Sequence, residues 1–323
     1  MRVRPRDAVE SGQGPAESGH LRRDQRRSRA GGCVDLSEFA EEIGSDDPVT
    51  IAGLGTRGGP VDDVRPVMAP GGVEWFRPDE MIVCCGAGTP LDELEDALAI
   101  HRQTVAIPPF GTVGGALAVG RSGIRRLGYG PVRDTVLQVR YVDASGRIVK
   151  AGGPTVKNVS GFDLCRLLVG SHGTLGFVGD VILRTRPMGR FEQWFTTTTD
   201  PDVLLRQLYR PTSILWDGER SWVLLEGHPD DVRAQAAALG LVAGDLPPAL
   251  PKGGRWSVDP AQLRSLVGTG RFVAEIGVGI VHHEQPAPAR PRDPAIVELH
   301  RRIKARFDPT GRLNPGVDVL AAP

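Results

Sequence analysis

Apolar residues recur along this chain at two spacings, one of strands and one of helices. Met81–Cys85 is an unbroken apolar run, as expected of a strand buried on both faces. Within Thr135–Val142 the residues Val136, Leu137, Val139 and Tyr141 read as a strand, and Ser145-Gly146 turns the chain into Ile148-Val149. Pro48–Leu54 and Leu175–Thr185 read as further strands. Leu91, Leu94 and Leu98 fall on one face of a helix expected to open with Thr89 as N-cap and Pro90 in the first turn. Val34–Ile43 and Phe162–Val169 are shorter helices by the same spacing. Farther along, strands are expected at Phe191–Thr198, Trp222–Glu226 and Phe272–Ile280, with helices at Val203–Tyr209 and Val232–Leu239. A last helix runs from about Ala295 to Arg306, with Ile296, Leu299, Ile303 and Phe307 near one face, and Pro309-Thr310-Gly311 stops it.

These elements group into four stretches. Residues 1–33 hold many arginines and few large apolar side chains, too little to offset the entropy of ordering, and are expected to be a disordered tail. Residues 34–187, 188–290 and 291–323 follow as a glycine-rich domain, a cap carrying four of the five tryptophans, and a closing helix with its tail.

Composition narrows the function. Lys+Arg and Asp+Glu both number 39, and aromatics make up 5%, which removes the charge and the stacking surface of a nucleic-acid binder. No apolar run approaches the roughly 20 residues of a membrane span, and no secretory leader is legible, so a cytoplasmic location is expected. The four cysteines lack the spacing of zinc or iron–sulfur ligands. The 42 glycines are the unusual feature, because they cluster in loops.

Gly53-Leu54-Gly55-Thr56-Arg57-Gly58 has the spacing of a dinucleotide fingerprint, but Gly59-Pro60 and the residues after them cannot open the helix that motif requires. What survives is a nest of free amides, with the Thr56 hydroxyl and the Arg57 charge beside it. A second bare loop runs from Pro108 through Gly111-Thr112-Val113-Gly114-Gly115 to Ser122-Gly123. Gly130-Pro131-Val132-Arg133-Asp134 and the pair Lys157–Leu164 and Ser171–Gly176 complete the set. Several glycine loops in one stretch fit an elongated ligand with phosphates and a flat ring, held by main chain.

In this order, the motifs of residues 49–187 resemble the FAD-binding domain of the vanillyl-alcohol oxidase (PCMH-type) flavoprotein superfamily. The segment Leu299–Gly316, with its Phe307-Asp308-Pro309 and Asn314-Pro315-Gly316, resembles that family's closing helix and tail. The chain looks most like the E-type flavin subunits of bacterial glycolate oxidase. The resemblance implies an α+β fold: a PCMH-type FAD domain of two small α+β subdomains, an α+β cap, and a C-terminal helix returning to the FAD domain. It implies that Gly53, Gly55, Thr56 and Arg57 wrap the FAD pyrophosphate, and that Pro109, Thr112, Val113, Gly114 and Gly115 lie beside the flavin and ribityl chain. Ser122, Gly123, Val132, Arg133 and Asp134 match positions around the phosphates and ring. Gly161, Asp163, Gly173, Thr174, Gly176 and Val178 match the adenine side, and Asn314 matches the isoalloxazine edge.

The first loop offers neither the His nor the Cys of members that attach flavin covalently, so non-covalent FAD is expected. Hydride transfer from a small 2-hydroxy acid is the reaction the resemblance implies. Electrons then pass to a partner: a second flavin subunit and an iron–sulfur subunit in the glycolate oxidase arrangement, with any membrane contact made through that partner. His282 and His283 are the catalytic candidates in the cap, with Asn314 beside the ring, and Arg271 or Arg292 would hold the carboxylate. Adjacent histidines on a strand face opposite ways, so they make a poor chelate and no metal is expected. An electron-relay subunit without its own substrate, or another oxidase or reductase of the same fold, stays open at this point.

Overall fold

The structure, a computed structural model, describes residues 34–154, 163–244, 246–289 and 291–320; the tail 1–33 and Gly161 lie outside these. Helix α1 (Ser37–Ile43) precedes a parallel pair, β1 (Val49–Ala52) and β2 (Arg65–Met68), with Val49 opposite Arg65. Then come β3 (Val73–Arg77), β4 (Ile82–Gly86), α2 (Leu91–Ala99), β5 (Gln103–Thr104), α3 (Val113–Val119) and α4 (Arg126–Tyr129). They are followed by β6 (Val136–Val142), β7 (Ile148–Gly152), α5 (Leu164–Leu168) and β8 (Phe177–Arg184). The five-stranded sheet has the order β3-β4-β8-β6-β7. All five residues of β4 are buried. Val83 and Cys85 face the main core with Leu91, Leu94 and Leu98, whereas Ile82 and Cys84 pack with Ile182 on the other side. That two-sided burial is why the run reads as unbroken rather than alternating.

After β9 (Arg186–Pro187), which pairs with β5, the cap is built on a seven-stranded antiparallel sheet. Its elements are β10 (Phe191–Thr197), α6 (Pro201–Gln207), β11 (Ser213–Trp216), β12 (Ser221–Gly227), α7 (Pro229–Ala238), β13 (Val242–Ala243), β14 (Gly254–Ser257), β15 (Phe272–Glu275) and β16 (Ile280–His283). Trp194, Trp216 and Trp222 are buried and serve the core. Helix α8 (Pro294–Phe307) closes the chain. No helix among the described residues is long and apolar enough to cross a membrane.

Two local expectations are corrected. Thr89 does not cap α2; it is buried, and its hydroxyl donates to the Gly86 carbonyl at 2.6 Å at the end of β4. Phe272–Ile280 is not one strand but the first arm and the turn of a hairpin, with Ile280 opening the second arm: Gly277 and Gly279, both at φ +76, turn the chain between β15 and β16. The left-handed region those turns require is open to glycine at no steric cost.

Two sets of contacts fix the geometry. The Arg125 guanidinium donates to Glu192 at 2.6 Å and to Glu226 at 2.6 Å, and the Tyr129 hydroxyl donates to Glu226 at 2.8 Å. These tie α4 and the residue before it to β10 and β12 of the cap. At the chain's end, Arg312 is buried and donates to the carbonyls of Ile43, Gly44, Asp47 and Ala144. Lys304 reaches the Thr174 and Leu313 carbonyls at 2.8 and 3.0 Å. The C-terminal segment is thereby sewn to the glycine-rich half.

Candidate functional site: a trench opening into a chamber under the cap

A trench runs beside the loop that follows β1. Its lining comes from residues 53–59, from Ala87 and Gly88, from Thr112, Gly114 and Gly115, and from the segments around Ser171–Gly173 and Gly176–Val178. A Cβ added at Gly55, Gly58 or Gly59 would meet no atom within 4 Å, so this stretch of the wall is bare main chain with open space above it. Gly58 also needs its glycine for a φ of +107. Arg57 braces the loop from behind. It donates to the carbonyls of Pro108 at 3.1 Å and Phe110 at 2.8 Å, and its guanidinium lies 3.8 Å from the Phe110 ring centre. Its Nε is buried with no partner among the described residues. Burial, then the neighbouring Arg121 charge, push this guanidinium below its ordinary pKa. Bare amides and an unpartnered buried cation N–H together fit a phosphate-bearing ligand.

The opposite wall is rigidly held. The Thr112 hydroxyl accepts from Gly115 N at 3.1 Å, opening α3. Asn314 is buried; its Oδ1 accepts from Ile51 N at 3.0 Å and its Nδ2 donates to the His172 carbonyl at 2.7 Å. Both polar ends of this amide are thus engaged with backbone on the two sides of the trench. Gly173 has φ +71, and a Cβ there would lie 2.7 Å from Asn314 Nδ2. His172 itself is pushed below its ordinary pKa by burial and by Arg121.

The trench continues into a chamber of about 930 Å³ under the cap, the two sharing Thr56, Arg57, Gly58, Val119 and His172. Arg121, Lys252, Arg255, Glu275 and His282 face this chamber. His282 Nε2 lies 2.8 Å from Glu275 Oε1, while Glu275 Oε2 is buried without a partner. Arg255 stands opposite His282 across the β14–β16 ladder. Its guanidinium is pushed down by burial, and by Arg121 and Arg126, against the pull of Glu275. A third cavity, lined by Pro109, Arg125, Tyr129 and Met188, adjoins the chamber along Ser122, Gly123 and Ile124. There burial and the Glu226 carboxylate push the Tyr129 hydroxyl up to about 12.

Most sequence-derived candidates meet here. Gly53, Gly55, Thr56, Arg57, Thr112, Gly114, Gly115, Gly173, Gly176, Val178 and Asn314 line the trench. Pro109, Ser122, Gly123 and His282 line the adjoining spaces. Val113, Val132 and Thr174 are buried behind the walls; Val132 N donates to the Ser122 hydroxyl at 3.1 Å, and Thr174 Oγ1 donates to the Ser171 carbonyl at 2.7 Å. Three further candidates lie away from the trench and the spaces that adjoin it. The turn Val132–Asp134 buries its valine and leaves Arg133 and Asp134 exposed. Arg133 and Asp163 line a separate groove against α8, and Asp134 pairs with Arg166 at 2.7 Å. Asp163 caps α5 by accepting from Arg166 N.

His283 is fully buried on the opposite face from His282. It stacks on Trp256 with ring centres 4.1 Å apart, lies 3.2 Å from the Thr269 hydroxyl, and accepts from Gln285 N. That is a packing role. Arg271 and Arg292 are exposed, and Arg292 pairs with Asp318 at 2.8 Å. The chamber's polar residues Arg121, His172, Lys252, Arg255 and Glu275 were absent from the sequence candidates. The signal for Glu275 was the pair of glycines just after it, which mark a hairpin.

Residues 53–152 match a family described as FAD binding domain, and residues 269–317 match FAD linked oxidases, C-terminal domain. The chain is 30% identical over 221 residues to glycolate oxidase subunit GlcE of Escherichia coli K12, covering 64% of this chain and 63% of that protein. It is 42% identical over 117 residues to a D-lactate dehydrogenase of Archaeoglobus fulgidus, covering 35% of this chain and 26% of that one. The chain therefore spans between about a quarter and somewhat under two thirds of these curated relatives. Among solved structures, alkyldihydroxyacetonephosphate synthase superimposes with a TM-score of 0.60 at 17% identity, over 87% of this chain and 72% of that one. That likeness concerns the fold, a mixed helix and sheet architecture.

Proposed function

We propose that this chain, whose residues 53–152 match an FAD binding domain and whose residues 269–317 match the C-terminal domain of FAD linked oxidases, holds FAD non-covalently and oxidises the CH–OH group of a small 2-hydroxy acid. The observation that carries this reading is the continuity of the glycine-walled trench with a cation-rich chamber containing His282. Bound FAD supplies a two-electron hydride acceptor. The chain's own residues do the rest. The bare amides of residues 53–59, with Arg57, hold the phosphates, and Thr112, Gly114 and Gly115 present main chain to the ligand. In the chamber, Arg255 offers its charge to a carboxylate and His282 offers a base. The cap, fastened by Arg125, screens the reacting centre from water.

Electrons then leave to a partner protein, and an assembly with a second flavin subunit and an iron–sulfur subunit is the arrangement we favour. A second reading is an electron-relay subunit with no substrate of its own. The resemblance to a protein named as an oxidase subunit, over 64% of this chain, supports keeping it. One anaerobic titration separates the two. Glycolate, D-lactate and D-2-hydroxyglutarate are added in turn to the yellow protein. Bleaching of the flavin band by any of them is expected; a band that dithionite bleaches but none of the three acids does leaves the relay reading.

A further inference from the structure

We infer that Glu275 is the positioning residue of the cap chamber: it fixes His282 with its proton on Nε2, leaving Nδ1 to accept a ligand's hydroxyl proton, while Arg255 takes the ligand's anionic end. The inference rests on reading the chamber as a substrate site and deepens it. An ionised carboxylate only accepts hydrogen bonds, so the proton in the 2.8 Å contact between Glu275 Oε1 and His282 Nε2 belongs to the imidazole. Among the described residues His282 Nδ1 has no partner, and His282 lines the chamber. The same division of labour orients the imidazole of a serine hydrolase, with the ring nitrogens exchanged.

The second carboxylate oxygen strengthens the argument. Glu275 is 2% exposed, yet its Oε2 has no partner. A buried orphan acceptor is rare and points to something that arrives later. The imidazolium formed when Nδ1 accepts a proton would sit against this carboxylate, balancing its charge. Arg255, directly across the ladder from His282, lines the same chamber and makes no ion pair among the described residues. His283 cannot substitute, because both its ring nitrogens are engaged.

The O–H bond of the substrate breaks and its proton goes to His282 Nδ1. With FAD bound, the C2–H hydrogen would leave with its electron pair to the flavin as the C–O bond became a carbonyl. The hydroxy acid is oxidised and the flavin reduced.

The test has two arms, both on the full chain loaded with FAD. In the first, nuclear magnetic resonance of isotope-labelled imidazole nitrogens reads the tautomer of His282, assigned by the signals lost in His282→Gln. The neutral ring is expected with its proton on Nε2 in the unmodified protein, and as a mixture of tautomers in Glu275→Leu. A proton on Nδ1 in the unmodified protein overturns the inference with no substrate involved. In the second arm, stopped-flow reduction by D-lactate should slow by about 100-fold in Glu275→Leu, with apparent substrate affinity nearly unchanged and partial recovery in Glu275→Asp. Arg255→Met should instead weaken affinity by about tenfold or more. A reduction rate in Glu275→Leu equal to that of the unmodified protein overturns the inference. Failure of the unmodified protein to be reduced by any 2-hydroxy acid sinks the proposed reaction instead, and the tautomer arm still decides the pair.

Discussion

Replacing Arg125 by methionine tests the fastening between the cap and the glycine-rich half. The side chain keeps its length and loses its charge. Two ion pairs disappear, together with a 3.2 Å hydrogen bond to the Tyr129 hydroxyl. The one to Glu192 joins side chains 38% and 41% exposed, and a pair so wet contributes at most about 1 kcal/mol. The one to Glu226 is different, because that carboxylate is only 8% exposed. Stranding a buried charge costs about 3–5 kcal/mol. Here the Tyr129 hydroxyl still donates to Glu226 and Arg125 itself is partly hydrated, so about 2 kcal/mol is the fairer figure. The total of about 3 kcal/mol corresponds to a thermal midpoint lowered by about 6 °C.

The pH dependence follows from Glu226, whose folded pKa is raised, first by burial and despite Tyr129 and Arg125. A raised carboxylate opposes folding once the pH climbs through its folded pKa and ceases to do so below its unfolded one. Removing Arg125 raises it further, so the variant's deficit is full near neutrality and shrinks as the pH falls to about 5. Scanning calorimetry at both pH values reads the difference, and Arg125→Met with Glu226→Gln should recover most of the loss. A deficit independent of pH, or a double variant no better than the single, refutes the role assigned to the buried carboxylate.

Two other outcomes follow from the trench and the cap. Gly58→Val places a side chain where φ is +107, a strain of about 1–2 kcal/mol, and points it into the space assigned to phosphate. The purified variant should be folded but pale, with a lower ratio of flavin to protein absorbance; full FAD occupancy would contradict the placement of the cofactor. His283→Leu removes the contacts to Thr269 and Gln285, each worth about 1 kcal/mol, so the midpoint should fall while the flavin reduction rate stays unchanged. A reduction rate that fell with a normal midpoint would return His283 to the chemistry.

The glycine loops were legible because a ligand held by main chain leaves its mark as missing side chains. Gly53, Gly55, Gly114 and Gly173, which the clustering of glycine loops and the family resemblance had grouped, line one trench. Arg133, Asp134 and Asp163 carried the same motif signal but went elsewhere. In those motifs the buried partners, Val132 and the first turn of α5, set the backbone and leave the charged neighbours facing outward. Spacing along the chain does not distinguish a residue that lines a site from one that braces it. The chamber was invisible for another reason. Its wall is made where three strands meet, and Arg255 and His282 are neighbours only through a ladder register. Glu275 was hidden inside Phe272–Ile280 as a single strand, although two glycines one residue apart are a poor fit to a strand interior.

The electrostatics of the chamber favour the dehydrogenase reading over the relay. An electron relay needs close approach between redox groups and a packed, dry path. It has no use for a carboxylate that is buried with one oxygen unpartnered, or for a half-buried guanidinium without an ion pair. Each such group lowers stability by about 1–3 kcal/mol unless something bonds to it. Both face the same space, from β15 and β14 on either side of β16, and among the described residues Glu275 Oε2 has no donor and Arg255 no ion pair. A small ligand with a hydroxyl beside a carboxylate would set its anion on Arg255 and its hydroxyl on His282, the imidazole that Glu275 holds. That is the chemistry of the 2-hydroxy acid proposed above.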